Sequence, residues 1–585
     1  MIERWRRLAA PSVVILAILS SAIGIANKFA YDDVDIVELN SAVHTLHRWW
    51  LEFGNSYWPK AIGGDGYRPI TIIAFKIEWA IGGGSPIAYH AANILLYAAV
   101  SLLVFMLARR MLPFWAAWVV GALFAVHPVH VEAVANIVGQ SEMLVALPVL
   151  AATLLYLRDR RVGELRWSTA GWILLLYTIA CFAKEHAVVL PAILLAAELT
   201  VLDDASSVRD RLLRLRPFYL ATVALAVAFI AARSRALADH SFSGFQPFLP
   251  FSALGISAVD RALTAVGVVP QWIRLLYWPA HLSADYGPPA VEVAQGVSIS
   301  QLPGLLLLVS ILAIGVVTRK RQPVIAFGIA IVCAALLPSS NFILPAGIII
   351  AERTLFLPSV GAMLIVGGTA LVVAERIRNT RWERGVATAA PVACAAVLVA
   401  GLARSVTRTP VWRDNPTLFA QSVLDEPDSY RTHYVLGTWY MEHERKSDAE
   451  LEFRKGLKLF PYDPYLAFSL AEAYRTSGMC APALPLYKLA REVDPEFPVG
   501  RSQYALCLFD QGHYDEARRM ALAAVNAGGL VGRLHNVIRV IDSAQKAQRI
   551  GQGGKISMVG IPGSGGKLPD TVQKSTLRPV SNASR

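Results

Sequence analysis

The chain has 585 residues, 55% of them apolar and only 17% charged, with a mean hydropathy of +0.45. A soluble chain carries about a quarter charged residues, so neither an all-soluble nor a mainly disordered protein fits. The net charge of +12 suits either nucleic acid or positive loops on one membrane face, and the placement of the charges decides between them.

A bilayer core takes about 20 apolar residues per helix. Apolar runs near 9–27, 87–108, 113–127, 142–157, 168–183, 186–201, 217–232, 302–318, 322–338, 354–373 and 386–403 predict about 11 spans. The shorter runs leave tilted, paired or re-entrant helices open. The first follows Arg4, Arg6 and Arg7 and has a signal-peptide reading, but the multi-span context favours a retained helix. Twenty Lys and Arg sit in short loops at 4–7, 109–110, 158–166, 209–216, 319–321 and 376–384, whereas the opposite loops hold about 11 over roughly three times the length. That bias places the N-terminus in the cytoplasm and, with an odd span count, everything beyond about residue 404 outside. The positive charge is then topogenic, and no nucleic-acid partner is needed. Outer loops at 28–86 and 233–300 mix aromatics with Pro, Gly and polar residues, as in Trp49, Trp50, Tyr57, Trp58 and Phe245 to Phe248. They read as interfacial helices beside a site near the membrane surface, or as aromatic belts. Five cysteines are too few for a disulfide framework, and Cys181, Cys333 and Cys394 read as small hydrophobes in apolar runs.

Charged groups gather at the outer membrane edge. Tyr31, Asp32 and Asp33 follow the first span, with Asp35, Glu38 and Asn40 close behind. Crowded carboxylates repel, so one keeps a raised pKa and can act as a general base; a solvated loop or helix cap is the alternative. Next come His127, His130 and Glu132, followed by Gln140 and Glu142. Spacings of three and two, with Pro128 breaking the helix, do not put three metal ligands on one face, so substrate hydrogen bonding is the better reading. Lys184, Glu185 and His186 lie between two apolar runs, and Glu352 and Arg353 enter a later span. Charges there are functional by default, although Glu352 and Arg353 could simply pair with each other.

Residues 430–531 repeat with a period of 34. Leu436, Gly437, Tyr440, Ala449 and Phe453 recur as Leu470, Ala471, Tyr474, Ala483 and Tyr487, then more weakly as Tyr504, Ala505, Leu508, Ala517 and Ala521. Small residues at helix crossings with that period are the tetratricopeptide signature, and about three repeats are the minimum that buries a continuous core. Such modules hold extended peptides or partner proteins; a stabilising appendage is the alternative. The expected organisation is a membrane domain over 1–404, a linker over 405–429, repeats over 430–531, a terminal helix over 532–549 and a disordered tail over 550–585.

The motif order is Tyr31-Asp32-Asp33, Tyr67-Arg68-Pro-Ile-Thr71, Tyr89-His-Ala-Ala-Asn93, Phe124 to Val134, Ala183-Lys184-Glu185 and Ala351 to Pro358, then the repeats. It resembles the TMTC-type (transmembrane and tetratricopeptide repeat-containing) protein O-mannosyltransferases and their bacterial relatives, although the repeat array is short beside the animal members. The resemblance implies an all-α polytopic membrane domain of the GT-C glycosyltransferase type, with the acidic motif in its first outer loop. It further implies a polyprenyl-phosphate-linked sugar, typically mannose, as donor and Ser or Thr hydroxyls of proteins as acceptors. On that analogy Asp32 and Asp33 form the catalytic motif, with Asp33 the base. Arg353, Lys184 and Arg68 then meet the donor phosphate, in that order, and His127, His130, Glu132, Glu185 and Glu352 contact substrate. The transfer inverts the anomeric centre and requires no metal, although other GT-C branches use a divalent ion. Two alternatives stand beside it: sugar transfer to a lipid or glycan acceptor, and a non-catalytic membrane scaffold with partner-binding repeats. Abundant Ala, Arg and Val with few Lys suggest a bacterial inner-membrane protein with periplasmic repeats.

Overall fold

The computed structural model describes residues 2–59, 66–203, 206–237, 256–343, 348–493, 498–526 and 531–549. Phe245 to Phe248 and the tail over 550–585 lie outside the described residues. Among the described residues the chain is helical, with no strand beyond an isolated bridge between Pro289 and Ser429. The described residues divide into a membrane unit (those up to 237, with 258–284 and 294–421) and a repeat unit (256–257, 285–293 and those from 422 to 549).

In chain order the membrane unit comprises α1 (Ile2–Ser21), α2 (Pro69–Gly82), α3 (Pro86–Arg109), α4 (Phe114–Ala125), α5 (Val131–Ala135), α6 (Gln140–Val162), α7 (Trp167–Ala183) and α8 (Leu190–Leu199). It continues with α9 (Val208–Leu237), α10 (Ala258–Tyr277), α11 (Leu302–Thr318), α12 (Pro323–Leu336), α13 (Phe356–Ile377), α14 (Glu383–Arg408) and α15 (Asn415–Asp425). Start signals are local: Ser85 caps α3 through the Ile87 N–H, with Pro86 in the first turn. Tight contacts use small residues, as membrane helices do. A Cβ on Gly328 of α12 would sit 2.6 Å from the Gly361 carbonyl oxygen of α13, so both helices need glycine where they cross.

All eleven predicted spans fall on helices, several of them short or bent. Among the described residues seven helices are long and apolar enough to cross a bilayer, an eighth arises if α4 and the segment through Ala135, bent by 43°, act as one, and Trp167–Ala183 and Pro323–Ser339 are shorter apolar helices. The reason is local breakage. Pro128 removes an amide donor in the 113–135 run. The polar Lys184-Glu185-His186 stretch forms a 3-10 turn that leaves α7 at 17 residues and α8 at ten. The expected linker over 405–429 is also helical. Trp412 and Leu418 are buried in the membrane unit, and the Asn415 side chain accepts the Tyr31 N–H at 2.6 Å, so this stretch packs beside the acidic loop.

The repeat unit holds α16 (Tyr430–Glu442), α17 (Lys446–Leu459), α18 (Pro464–Thr476), α19 (Cys480–Val493), α20 (Pro498–Asp510), α21 (Tyr514–Asn526) and the terminal α22 (Val531–Arg549). First helices start at 430, 464 and 498 and second helices at 446, 480 and 514, so the period of 34 is also the spatial period. Gly437 has no room for a side chain, since a Cβ there would lie 2.6 Å from the Phe453 ring. One disulfide, Cys480–Cys507, joins α19 to α20, which the low cysteine count did not announce.

A stretch of the second outer loop, 285–293, belongs to this unit. Asp285 lies 3.1 Å from the Arg431 guanidinium and accepts the Ser429 hydroxyl at 3.1 Å, and the Tyr430 N–H donates to the Pro288 carbonyl at 3.2 Å. Both charges are largely buried. Arg431→Ala is therefore expected to weaken the repeat unit by about 2 kcal/mol, read as a lower melting temperature for protease cleavage within 430–526 of the full chain. An unchanged cleavage temperature would show that the loop contributes nothing to the repeats.

Candidate active site

The acidic motif sits in a constrained turn. After α1 a 3-10 turn over Ala22–Ala26 leads to Tyr31, whose φ of +57° is unusual for a bulky residue, and then to a single π turn over Val34–Glu38. The two aspartates diverge there. Asp33 is fully buried, and its oxygens accept three backbone N–H groups: Ala30 at 3.3 Å, Ile137 at 3.2 Å and Val138 at 2.9 Å. Burial pushes its carboxyl up to about 7 even though those N–H groups pull it down. Asp33 thus clasps the first outer loop to the segment entering α6. Asp32 instead lies against a cation, 3.6 Å from the Arg353 guanidinium.

Arg353 stands in a 3-10 turn, Glu352–Leu355, that opens α13. Its backbone N–H and Nη1 donate to the two oxygens of Glu132 on α5, at 2.9 and 3.0 Å. Glu142, in the first turn of α6, accepts the Lys184 ammonium and lies 3.5 Å from His186 Nε2. Burial brings Lys184 down to about 8 against the pull of Glu142, and His186 down to about 4, so His186 is neutral at pH 7. Glu185 accepts the Tyr67 N–H at 2.9 Å and Arg68 Nε at 3.2 Å, while the Arg68 guanidinium sits 4.6 Å over the Tyr57 ring. Burial raises the Glu185 carboxyl, yet Arg68 and the Tyr67 amide bring it down to about 2.

These pairs form one cluster. The charges of Arg353 and Arg68 both act on Lys184, and Arg353 joins Glu132 to Asp32. Side-chain exposure sorts the charges: Asp32, Glu132 and Glu142 are 5% exposed or less, whereas Arg353, Lys184 and Arg68 reach 15%, 13% and 20%. Three carboxylates thus lie behind the cations, while Glu185, at 28%, stands in front beside Arg68 and offsets its charge. Such a face can grip an anion, with Asp32 beside it to take a proton.

Other residues expected to touch substrate are committed elsewhere. His127 holds the Leu276 carbonyl through Nε2 at 3.0 Å and accepts the Val129 N–H at Nδ1. His130 is held by the Tyr97 hydroxyl at 2.9 Å and the Ser359 hydroxyl at 2.8 Å. Neither ring keeps a nitrogen for a ligand, because buried polar groups must be paired. Glu352 is 1% exposed and accepts the Ser283 N–H at 2.7 Å. It holds the loop after α10. Glu132 and Glu185 hold the cations of the cluster. Tyr57, read from the sequence as an interfacial or belt aromatic, instead carries Arg68, and Glu142 is the counter-charge that a lysine between two apolar runs needs. Among the described residues no group of three or more His, Cys, Asp or Glu is arranged to hold a metal ion.

No family model matches the chain. It is 22% identical to the mouse protein O-mannosyl-transferase TMTC3 over 504 residues, covering 82% of this chain and 54% of that one. To the Caenorhabditis elegans protein O-mannosyl-transferase F38B6.6 it is 23% identical over 457 residues, 77% of this chain and 62% of the other. To human protein O-mannosyl-transferase TMTC1 it is 25% identical over 478 residues, 74% of this chain and 53% of the other. The chain thus spans between half and two thirds of the length of these curated relatives.

Proposed function

From the premise that this chain is a homologue of the TMTC proteins across most of its length, we propose that it is a membrane glycosyltransferase acting on proteins. It moves a sugar, mannose by analogy with the relatives' names, from a polyprenyl-phosphate donor to Ser or Thr hydroxyls of exported chains, which the repeats hold. The observation that carries this reading is Asp32 lying against Arg353 within a face of three cations.

The chemistry follows from those groups. The acceptor hydroxyl gives its proton to the Asp32 carboxylate as its oxygen attacks the anomeric carbon. The bond from that carbon to the phosphate oxygen breaks, and the lipid phosphate leaves with the electron pair. Its growing negative charge is met by Arg353, Lys184 and Arg68. Attack opposite the leaving group inverts the anomeric centre. The family analogy points to Asp33 as the base, but Asp33 is fully buried and its carboxylate already accepts three backbone N–H groups. We assign proton transfer to Asp32 and anchoring of the loop to Asp33.

For location, the loop charges alternate only if all eleven apolar helices carry the chain across, the short ones included. On that topology the N-terminus is cytoplasmic and the repeats are periplasmic, in a bacterial inner membrane.

The test is sugar transfer in membranes containing the chain, with radiolabelled polyprenyl-phosphate mannose and endogenous proteins as acceptors. Label in protein bands that requires the chain supports the proposal. Label confined to lipid or glycan would replace it with the other acceptor class, and no chain-dependent transfer from this donor would remove it. Lys184 adds a pH signature. Protonated below about 8, it supports the donor phosphate there and loses that charge above. The KM for the donor is expected to rise up to about tenfold between pH 7 and 9. The Lys184→Arg variant, which cannot deprotonate in that range, should show a flat KM; an equal rise in both would rule out Lys184 as the titrating group.

A further inference from the structure

The five cysteines are sorted by place. Cys181, Cys333 and Cys394 are free thiols in the apolar helices α7, α12 and α14. The remaining two meet in the repeats: Cys480 opens α19, Cys507 lies in α20, their Cα atoms are 5.2 Å apart, and they are joined through sulfur. The bond connects the second helix of repeat two to the first helix of repeat three. Both cysteines are buried at that junction, where the Tyr487 and Tyr504 rings pack at 6.0 Å.

Structural disulfides persist on the oxidising side of a membrane and are rare on the reducing side. On the eleven-span topology of the proposed function, the loop charges, which owe nothing to cysteine, place the same segment outside. Two unrelated observations therefore agree, and we infer that Cys480–Cys507 is an oxidative modification site, completed after the repeats reach the outer face. An oxidised dithiol–disulfide exchange protein is the partner class. One thiolate of the pair attacks its disulfide, a mixed disulfide forms, and the second thiolate displaces the partner. The repeats gain one disulfide, and the partner leaves as a dithiol carrying the two electrons and the two hydrogens.

The staple has a mechanical consequence. A solenoid repeat touches only its neighbours, so the angle between α19 and α20 sets how the third repeat continues the groove. The bond closes a sequence separation of 27 and fixes that angle. With three repeats, near the minimum for a continuous core, the bond adds a covalent tie to the Tyr487–Tyr504 packing at that junction. The inference does not depend on the sugar, the donor or the acceptor.

The experiment uses the full chain in the cells that make it. Cells are quenched in acid, free thiols are blocked with N-ethylmaleimide under denaturing conditions, disulfides are reduced, and the thiols released are tagged with a maleimide polymer. Two tags are expected on the wild-type chain and none on Cys480→Ser, whose remaining thiols are all blocked. No tag on the wild type would overturn the modification. In a second measurement, a reductant should speed protease cleavage within the wild-type repeats at least about tenfold. The Cys480→Ala/Cys507→Ala pair should cleave at one rate with or without reductant. A wild-type rate indifferent to reductant would overturn the staple while leaving sugar transfer untouched.

Discussion

Asp32→Asn is expected to cut sugar transfer by about 10²–10⁴-fold, the usual contribution of a positioned base, while insertion and thermal stability stay near wild type. Asp33→Asn should lose both. The Asp33 carboxylate receives three backbone N–H groups from Ala30, Ile137 and Val138. An asparagine replaces one acceptor oxygen with a donor facing another donor, and a buried N–H left unpaired costs about 1–3 kcal/mol. The pH dependence separates the two further. With its carboxyl raised from 3.8 to about 7 by burial, Asp33 binds more protons folded than unfolded. Its contribution is therefore fully present below about pH 4 and lost as pH rises toward 7. In Asp33→Asn that slope between pH 4 and 7 should flatten. Melting curves in detergent across that range, beside transfer rates for both variants, decide the roles. A stable, inactive Asp33→Asn with an active Asp32→Asn would return the base to Asp33.

What the sequence makes legible is local. Apolar runs become helices where they occur, and a period of 34 becomes three helical pairs starting at 430, 464 and 498. Clustered charge at the outer edge becomes a site, because desolvating Asp32, Arg353 or Lys184 demands partners nearby. Partnership itself is not local. Glu132 and Arg353 are 221 positions apart, and Asp33 finds its amides 104 and 105 positions away. Nothing in Tyr31-Asp32-Asp33 says which carboxylate is clasped by backbone and which is left beside a cation. The histidines mislead for the same reason. His127 and His130 have the composition of a ligand-binding pair, but Tyr97, Ser359 and the Leu276 carbonyl, all distant in sequence, satisfy them first. Hydropathy likewise averages over a single proline or a short polar stretch that leaves an apolar run as short or bent helices.

Arg353 offers the second large effect, and the choice of replacement determines what is learned. Arg353→Ala removes the guanidinium from a Glu132 that is 1% exposed and from Asp32. A buried carboxylate stripped of its cation costs about 3–5 kcal/mol, so that variant would confuse lost donor binding with lost folding. Arg353→Lys keeps the charge but not the planar fork. Nη1 reaches Glu132 at 3.0 Å while Nη2 reaches Asp32 at 3.6 Å, and a single ammonium cannot hold both geometries. Transfer by Arg353→Lys is therefore expected to fall about 10²-fold with the melting temperature nearly unchanged. Glu132→Gln should leave the cation in place but loosely aimed, raising the donor KM more than it lowers kcat. If Glu132 acts through Arg353, the double variant Arg353→Lys/Glu132→Gln should fall short of the product of the single losses, by a coupling above about 0.5 kcal/mol. Strict additivity would mean that Glu132 touches the acceptor or donor directly, as the sequence first suggested. The bidentate hold on Arg353 would then be structural coincidence.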